Sequence, residues 1–160
     1  MLIRPTTAAD RPALWAMIEP IMREGETFAL PRDGDEAVAM TYWSSPEKVN
    51  FIAEENGEIL GSSYIRANQL GGGAHIANCG YMTTPSARGR GVARALCAHS
   101  IEHCRAAGFR GIQFNFVVST NAPAVHLWES FGFETLARLP SAFAHPRLGF
   151  VDALVMFKPL

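Results

Sequence analysis

The chain predicts an α/β fold, one domain over residues 1–160 with a mixed, largely antiparallel central sheet flanked by helices. Two observations carry this. The N-terminal half contains two β-favouring runs, Val49 to Ala53 and Ile59 to Arg66, around Glu55-Asn56-Gly57-Glu58, a hairpin signal. The C-terminal half alternates strand-like and helix-like segments, the pattern of layered α/β folds. With 160 residues, 48% of them apolar, the chain can bury a core without disulfide staples.

Leu2 to Arg4 reads as a first strand. Thr7, with Asp10 three residues on, resembles a capping box for a helix through about Met22, imperfect because Asp replaces Glu. Gly25 closes that helix, and Glu26 to Gly34, with Pro31, forms a connecting loop and candidate substrate wall. A short helix follows over Asp35 to Trp43, then the hairpin. Gly71-Gly72-Gly73 breaks the chain before a strand over His75 to Met82. A helix over Val92 to Ala106, ended by Gly108, precedes a strand over Ile112 to Val118. Ala122 to Ser130 makes a short helix before Gly132, and final strands fall near Phe133 to Ala137 and Phe150 to Phe157.

Fourteen Lys and Arg against fifteen Asp and Glu give a net charge of −1, which argues against nucleic-acid or anionic-membrane partners. A charged substrate must then be recognised locally. The opening Met1-Leu2-Ile3-Arg4-Pro5-Thr6 lacks a signal-peptide apolar region, and no segment reaches bilayer-spanning length, so a cytoplasmic protein is expected. Cys79, Cys97 and Cys104 lack metal-ligand spacing and are expected as reduced, buried thiols. His99-Ser100-Ile101-Glu102-His103 spells H-x-x-E-H, but no third ligand is evident and both histidines are expected at the solvent edge of a helix; no metal is expected.

The run Arg88-Gly89-Arg90-Gly91-Val92-Ala93 sits between a strand and a long helix. Its glycines permit positive φ and close approach to an anion, the helix start directs unpaired N–H groups at it, and two arginines add charge-assisted bonds. Taken alone, these six residues also fit a surface loop with a capping glycine and solvated arginines. The Lys-Ser/Thr pair of a triphosphate loop is missing. So is the acidic residue that ends the next strand in dinucleotide folds, since this strand ends in Val117-Val118-Ser119. Pyrophosphate without magnesium or nicotinamide machinery points to coenzyme A.

With these residues the chain resembles the GCN5-related N-acetyltransferase (GNAT) family in its small-molecule bacterial and fungal branch, most strongly over residues 74–133. Arg88, Gly91 and Ala93 match its pyrophosphate motif, with Pro85 upstream; Asn121, Ala124, Leu127-Trp128 and Gly132-Phe133 match its second motif. The resemblance implies acetyl-CoA as cosubstrate. Backbone groups of Met82, Thr83 and Thr84 would bind the pantetheine arm, and Arg88, Gly89, Arg90, Gly91, Val92 and Ala93 the pyrophosphate. Asn121, Ala124 and Trp128 would lie beside the pantetheine and thiol. A homodimer is implied too.

Acyl transfer to nitrogen asks for a neutral amine, a donor for the developing oxyanion and a departing thiolate. An N–H near Tyr81 or Met82 could stabilise the oxyanion. Trp128 stands where many relatives carry a tyrosine acid, and an indole is no proton donor at neutral pH. A thiol is a tolerable leaving group, and Tyr81, Ser119, Ser130 or water could complete the transfer. Trp128 also fits a purely structural role, packing its helix on the sheet.

No carboxylate lies in the strand before the glycine loop. Asparagines stand where one looks for it, Asn78 in that apolar strand and Asn115 between Phe114 and Phe116 in the next, where amides need fixed partners. With Asn121 they match the asparagine set of the azetidine-2-carboxylate N-acetyltransferase subgroup, where asparagines position the substrate nitrogen and carboxylate. An amide oxygen can accept from a substrate N–H and aim its lone pair. His75 and His126 are alternative proton acceptors, and Arg32 and Arg66 could hold a substrate carboxylate or simply be solvated. The expected activity is acetyl-CoA-dependent N-acetylation of a small amine, with a proline-like imino acid as leading acceptor. Another small amine, a peptide N-terminus, or a non-catalytic acyl-CoA-binding module are the alternatives.

Overall fold

In the computed structural model, which describes residues 1–160, the strands are β1 (Leu2–Pro5), β2 (Val49–Glu55), β3 (Glu58–Ala67), β4 (Ile76–Thr83), β5 (Gly111–Val118), β6 (Glu134–His145) and β7 (Gly149–Pro159). The helices are α1 (Arg11–Glu24), α2 (Glu36–Trp43), α3 (Val92–Ala106) and α4 (Ala122–Ser130). All strands join one sheet in the order β1-β2-β3-β4-β5-β7-β6. Every neighbouring pair is antiparallel except β4 and β5, which the crossover helix α3 makes parallel.

That one parallel pairing is short. It holds at Ile76–Gly111 and Ala77–Ile112 and then stops, so the two strands separate toward their C-terminal ends. Strand β5 also carries a bulge against β7 between Phe114 and Val117, which bends it at Asn115 and Phe116.

Alternation along the strands divides the core in two. Helices α1 and α2 bury Leu14, Met17, Ile18, Met22 and Trp43 against Ile52, Tyr64 and Met82 on one face. On the other, α3 and α4 bury Cys97, Ile101, Cys104 and Trp128 against Ile65, Ile112, Phe114 and Met156. Trp43 is wholly buried, and its indole N–H donates to Ser62 Oγ at 3.0 Å, which donates to the Phe51 carbonyl at 2.9 Å. This relay gives the buried indole N–H and the Ser62 hydroxyl their partners and fixes α2 over the sheet.

The expected capping box between Thr7 and Asp10 forms, with Thr7 N–H donating to Asp10 Oδ2 at 2.7 Å, but it opens a 3₁₀ turn over Ala8–Asp10 and α1 begins only at Arg11. Asp10 is also a tether. Both its oxygens take the Arg4 guanidinium at 3.0 Å, which holds the buried carboxyl well below the usual carboxylate range and ties β1 to α1.

The last hairpin is longer than the sequence suggests. The expected strand ends near Ala137, yet β6 continues through Pro140 and Ser141 to His145, because an edge strand absorbs them in register shifts, one between Leu139 and Phe143. Ser141 takes a positive φ of 53°, with its N–H held by Asp152 Oδ1 at 3.0 Å.

Candidate active site

A cleft of about 520 Å³ opens where β4 and β5 part. One side is built largely from backbone. Asn68 N–H donates to the Ile76 carbonyl at 2.8 Å and Thr84 N–H to the Leu60 carbonyl at 2.9 Å, so every second residue between turns its backbone to β3. Asn78, Gly80, Met82 and Thr84 are paired in that way, while Cys79, Tyr81 and Thr83 face the gap. Met82 and Thr84, expected on the pantetheine arm with Thr83, are therefore committed to β3, and of the three only Thr83 offers its backbone to the gap.

Below the gap the chain turns into α3. Gly89 and Gly91 have φ of 75° and 74°, and a Cβ on either would meet nothing within 4 Å. Backbone conformation, not crowding, selects glycine there. The first helical bond runs from Ala95 N–H to the Gly91 carbonyl at 2.9 Å, and the N–H groups of Gly89, Gly91, Val92, Ala93 and Arg94 find no backbone carbonyl. That array is suited to a pyrophosphate. The two arginines are not equivalent. Arg90, expected on the anion, is instead held by Glu55 at 2.6 Å and Glu58 at 3.7 Å, whereas Arg88 is exposed beside the array and paired with no side chain.

Helix α4 lines the same side. Asn121 is its N-cap residue but makes no side-chain cap bond, which leaves its amide free toward the cleft it lines. Ala124 and Trp128 follow at helical spacing on the cleft wall. Trp128 is buried between Tyr81, with ring centroids 4.8 Å apart, and Phe114 at 5.1 Å, so it packs the core and lines the cleft together. The Tyr81 hydroxyl is buried without a partner on the α3 side, and burial pushes its pKa well up. What Tyr81 presents to the gap is its backbone.

The opposite side is built from side chains. Asn78, the first β4 residue past the last β5 pairing, donates through Nδ2 to the Gln113 carbonyl at 2.9 Å, and its Oδ1 accepts from Tyr64 Oη at 3.4 Å. The amide thus acts as a wedge where the strands part. Asn115 Oδ1 accepts from Gln113 Nε2 at 2.9 Å, and its Nδ2 donates to Asn68 Oδ1 at 2.7 Å. Each asparagine keeps one N–H and one acceptor lone pair beyond these bonds. Tyr64 crosses Gly80 closely, so that a Cβ there would stand 2.2 Å from its ring. Burial raises the pKa of Tyr64 and Tyr42, so both phenols stay protonated.

Two cations complete this side. Lys48 Nζ stands 4.3 Å from the Tyr64 ring centroid and 4.7 Å from that of Tyr42, and donates to the Tyr42 carbonyl. Desolvation, and then the Arg66 charge, push its pKa down to about 8. Arg66 lines the cleft, and its Nε is buried without a partner. Arg32 does not join it, since its Nε donates to the Arg23 carbonyl at 2.8 Å in the α1–α2 loop. That loop places Thr27 and Phe28 on the cleft wall, and Arg147 of the β6–β7 turn clasps Glu26 at 2.7 and 3.1 Å.

The remaining candidates lie elsewhere. His75 and His126 are exposed and outside the cleft, and Ser130 is bound to Arg94 at 3.1 Å. His99 and His103 are half-buried at the edge of α3, as expected, and pack on the Phe51 ring at 4.5 and 5.0 Å. No three His, Cys, Asp or Glu side chains cluster to hold a metal. Lys48, Tyr42 and Tyr64 escaped the sequence reading. Only the Pro46-Glu47-Lys48 turn before a strand hinted at Lys48, and nothing local marks that Tyr64 would face Asn78.

A parted strand pair, a glycine-turned helix start and a capping asparagine on the next helix define the class, an α/β acetyltransferase fold. Residues 15–133 match the acetyltransferase (GNAT) family, and the chain belongs to it. An N-acetyltransferase of Schizosaccharomyces pombe, aca1, is 34% identical over 101 residues, which span 61% of this chain and 47% of that protein. The chain therefore covers about half of this curated relative's length. Among solved structures, a GCN5-related N-acetyltransferase from Kribbella flavida superposes with a TM-score of 0.93 at 40% identity, covering 99% of this chain and 97% of that one. A ribosomal-protein-alanine N-acetyltransferase from Brucella melitensis gives 0.86 at 25% identity over 100% of both chains.

Proposed function

We propose that this protein transfers the acetyl group of acetyl-CoA to the nitrogen of a small amine, with a proline-like imino acid such as azetidine-2-carboxylate as acceptor. The observation that carries the reading is the meeting, at one strand gap, of an unpaired N–H array on one side and fixed amides on the other.

Acetyl-CoA supplies a thioester carbonyl activated toward amines. Gly89, Gly91, Val92 and Ala93 hold the pyrophosphate through backbone N–H groups, with Arg88 adding charge, and Thr83 binds the pantetheine. The Tyr81 N–H, turned to the gap, receives the developing oxyanion. Asn78 and Asn115 orient the acceptor nitrogen. The new C–N bond forms as the C–S bond breaks, and the nitrogen gives its proton to water. The one carboxylate on the cleft, Glu47, is a weak base, since it is exposed and its pKa is lowered first by the Ser45 hydroxyl. The amine must arrive neutral, so the rate is expected to rise with pH through the acceptor's own pKa; a flat profile with chemistry limiting would contradict this.

Free-thiol release from acetyl-CoA against an amine panel tests the reading, with azetidine-2-carboxylate and hydroxyproline expected among the substrates. Coenzyme binding without thiol release for any amine would instead indicate a non-catalytic binding module. The Brucella relative gives a second reading, acetylation of a peptide N-terminus, which a peptide in the same panel decides. The reading includes a cytoplasmic location, supported by three buried free cysteines. It also includes a homodimer, supported by Leu136 and Leu139 exposed on edge strand β6 with Leu148 and Phe150 at the hairpin end. Light scattering at micromolar concentration tests the dimer. No helix is long and apolar enough to cross a membrane.

A further inference from the structure

We propose that Lys48 and Arg66 are the carboxylate-binding end of the acceptor cleft, so that the acceptor is a free α-amino or α-imino acid rather than a plain amine or a peptide. The inference rests on the N-acetyltransferase reading for its reaction, and on geometry for its substrate class.

Both cations line the cleft, and neither forms an ion pair with an Asp or Glu. Cationic side chains taken out of water are normally paired, and one left without a partner in a cleft signals an absent anion. Arg66 Nε is buried with no acceptor, and Lys48 is half-buried over two phenol rings. Glu47 lines the same cleft and feels both charges, but it comes within ion-pairing distance of neither; its carboxylate is exposed and accepts from Ser45 Oγ at 2.7 Å.

Register then sets the span. Arg66 lies directly opposite Asn78 across the β3–β4 pair, and Tyr64, two residues from Arg66, lies on the same face. Directly opposed residues have Cβ atoms about 5 Å apart. A carboxylate on Arg66 and Lys48 therefore leaves an attached nitrogen within one residue pair of Asn78, at the mouth of the β4–β5 gap. An α-amino acid separates these groups by a single carbon. A peptide N-terminus has an amide where this carboxylate would be.

The test is equilibrium binding by calorimetry at neutral pH with coenzyme A present. Azetidine-2-carboxylate, proline and alanine are each compared with their carboxamides. At least one acid is expected to bind about tenfold or more tighter than its carboxamide, the scale of a charge-assisted contact. Arg66→Gln and Lys48→Gln should each bring that ratio toward one, and Arg66→Lys should restore part of it. Coenzyme A affinity and melting temperature report whether each variant is folded. No acid preference in the unaltered protein, or variants that lose acid and carboxamide equally, overturns the proposal. Thiol release is scored separately. Acid selectivity without thiol release strikes acetyl transfer alone, whereas release as fast with carboxamides as with acids strikes only the carboxylate site.

Discussion

The two sides of the β4–β5 gap are made of different material. Toward α3 and α4, the wall is a run of backbone N–H groups whose direction follows from two positive-φ glycines and one helix start. Toward α1 and α2, it is side chains from α2, the turn before β2, and β3, β4 and β5: Tyr42, Lys48, Tyr64, Arg66, Asn78 and Asn115. The first side needs only local sequence and suits a donor that does not vary. The second can change one residue at a time without disturbing the first, which lets one fold serve many acceptors.

If the sides are separable, changes on each should move different constants. Asn78→Ala should have the largest effect. It removes the wedge to Gln113 and the Tyr64 partner, and turnover is expected to fall about 100-fold, near 2.7 kcal/mol of barrier, with coenzyme affinity within a factor of about three. Steady-state kinetics beside coenzyme titration check this; an equal loss of coenzyme affinity would break the separation. Gly91→Ala should do the converse. An alanine held at φ 74° costs about 1–2 kcal/mol, expected as roughly tenfold weaker coenzyme binding with little change in acceptor KM.

A pH series sharpens the acceptor side. Lys48, with a pKa near 8, is charged below that value and neutral above it, facing Arg66, Glu47, Tyr42 and Tyr64. Affinity for an acid acceptor should therefore hold below pH 8 and decline above it, by about threefold over the next pH units, while a neutral amine shows no such decline. A Lys48→Gln protein should lose this limb. The smallest effect belongs to the loop clasp. Glu26→Gln loosens the Arg147 pair, and acceptor KM should rise about two- to threefold, with faster proteolysis within residues 26–34 and unaltered coenzyme KM.

The turn into α3 and its row of free N–H groups were legible in the sequence because glycine conformation and helix polarity are local properties. Even there, Arg90 looked equivalent to Arg88 until the hairpin carboxylates Glu55 and Glu58 claimed it. Met82, Thr83 and Thr84 looked interchangeable until pairing parity with β3 separated them. On the acceptor side Asn78 and Asn115 stood out as amides in apolar runs, but their partners Gln113, Tyr64 and Asn68 lie up to 47 residues away. Strand β6 runs past the expected Ala137 to His145, because a sheet edge tolerates Pro140 and the register shifts that no isolated segment reveals.

By itself, then, the sequence determined the element order, the mixed sheet, the glycine-turned helix start and its kinship to a coenzyme A-using family. Each follows from periodicity, turn chemistry or contiguous spacing, which act over a few residues. Only the tertiary structure decided where β4 and β5 stop pairing, which arginine stays free, and that Lys48 and Arg66 share a cleft with Asn78. Those outcomes depend on register between strands and on contacts across the sheet, which no local stretch of chain encodes.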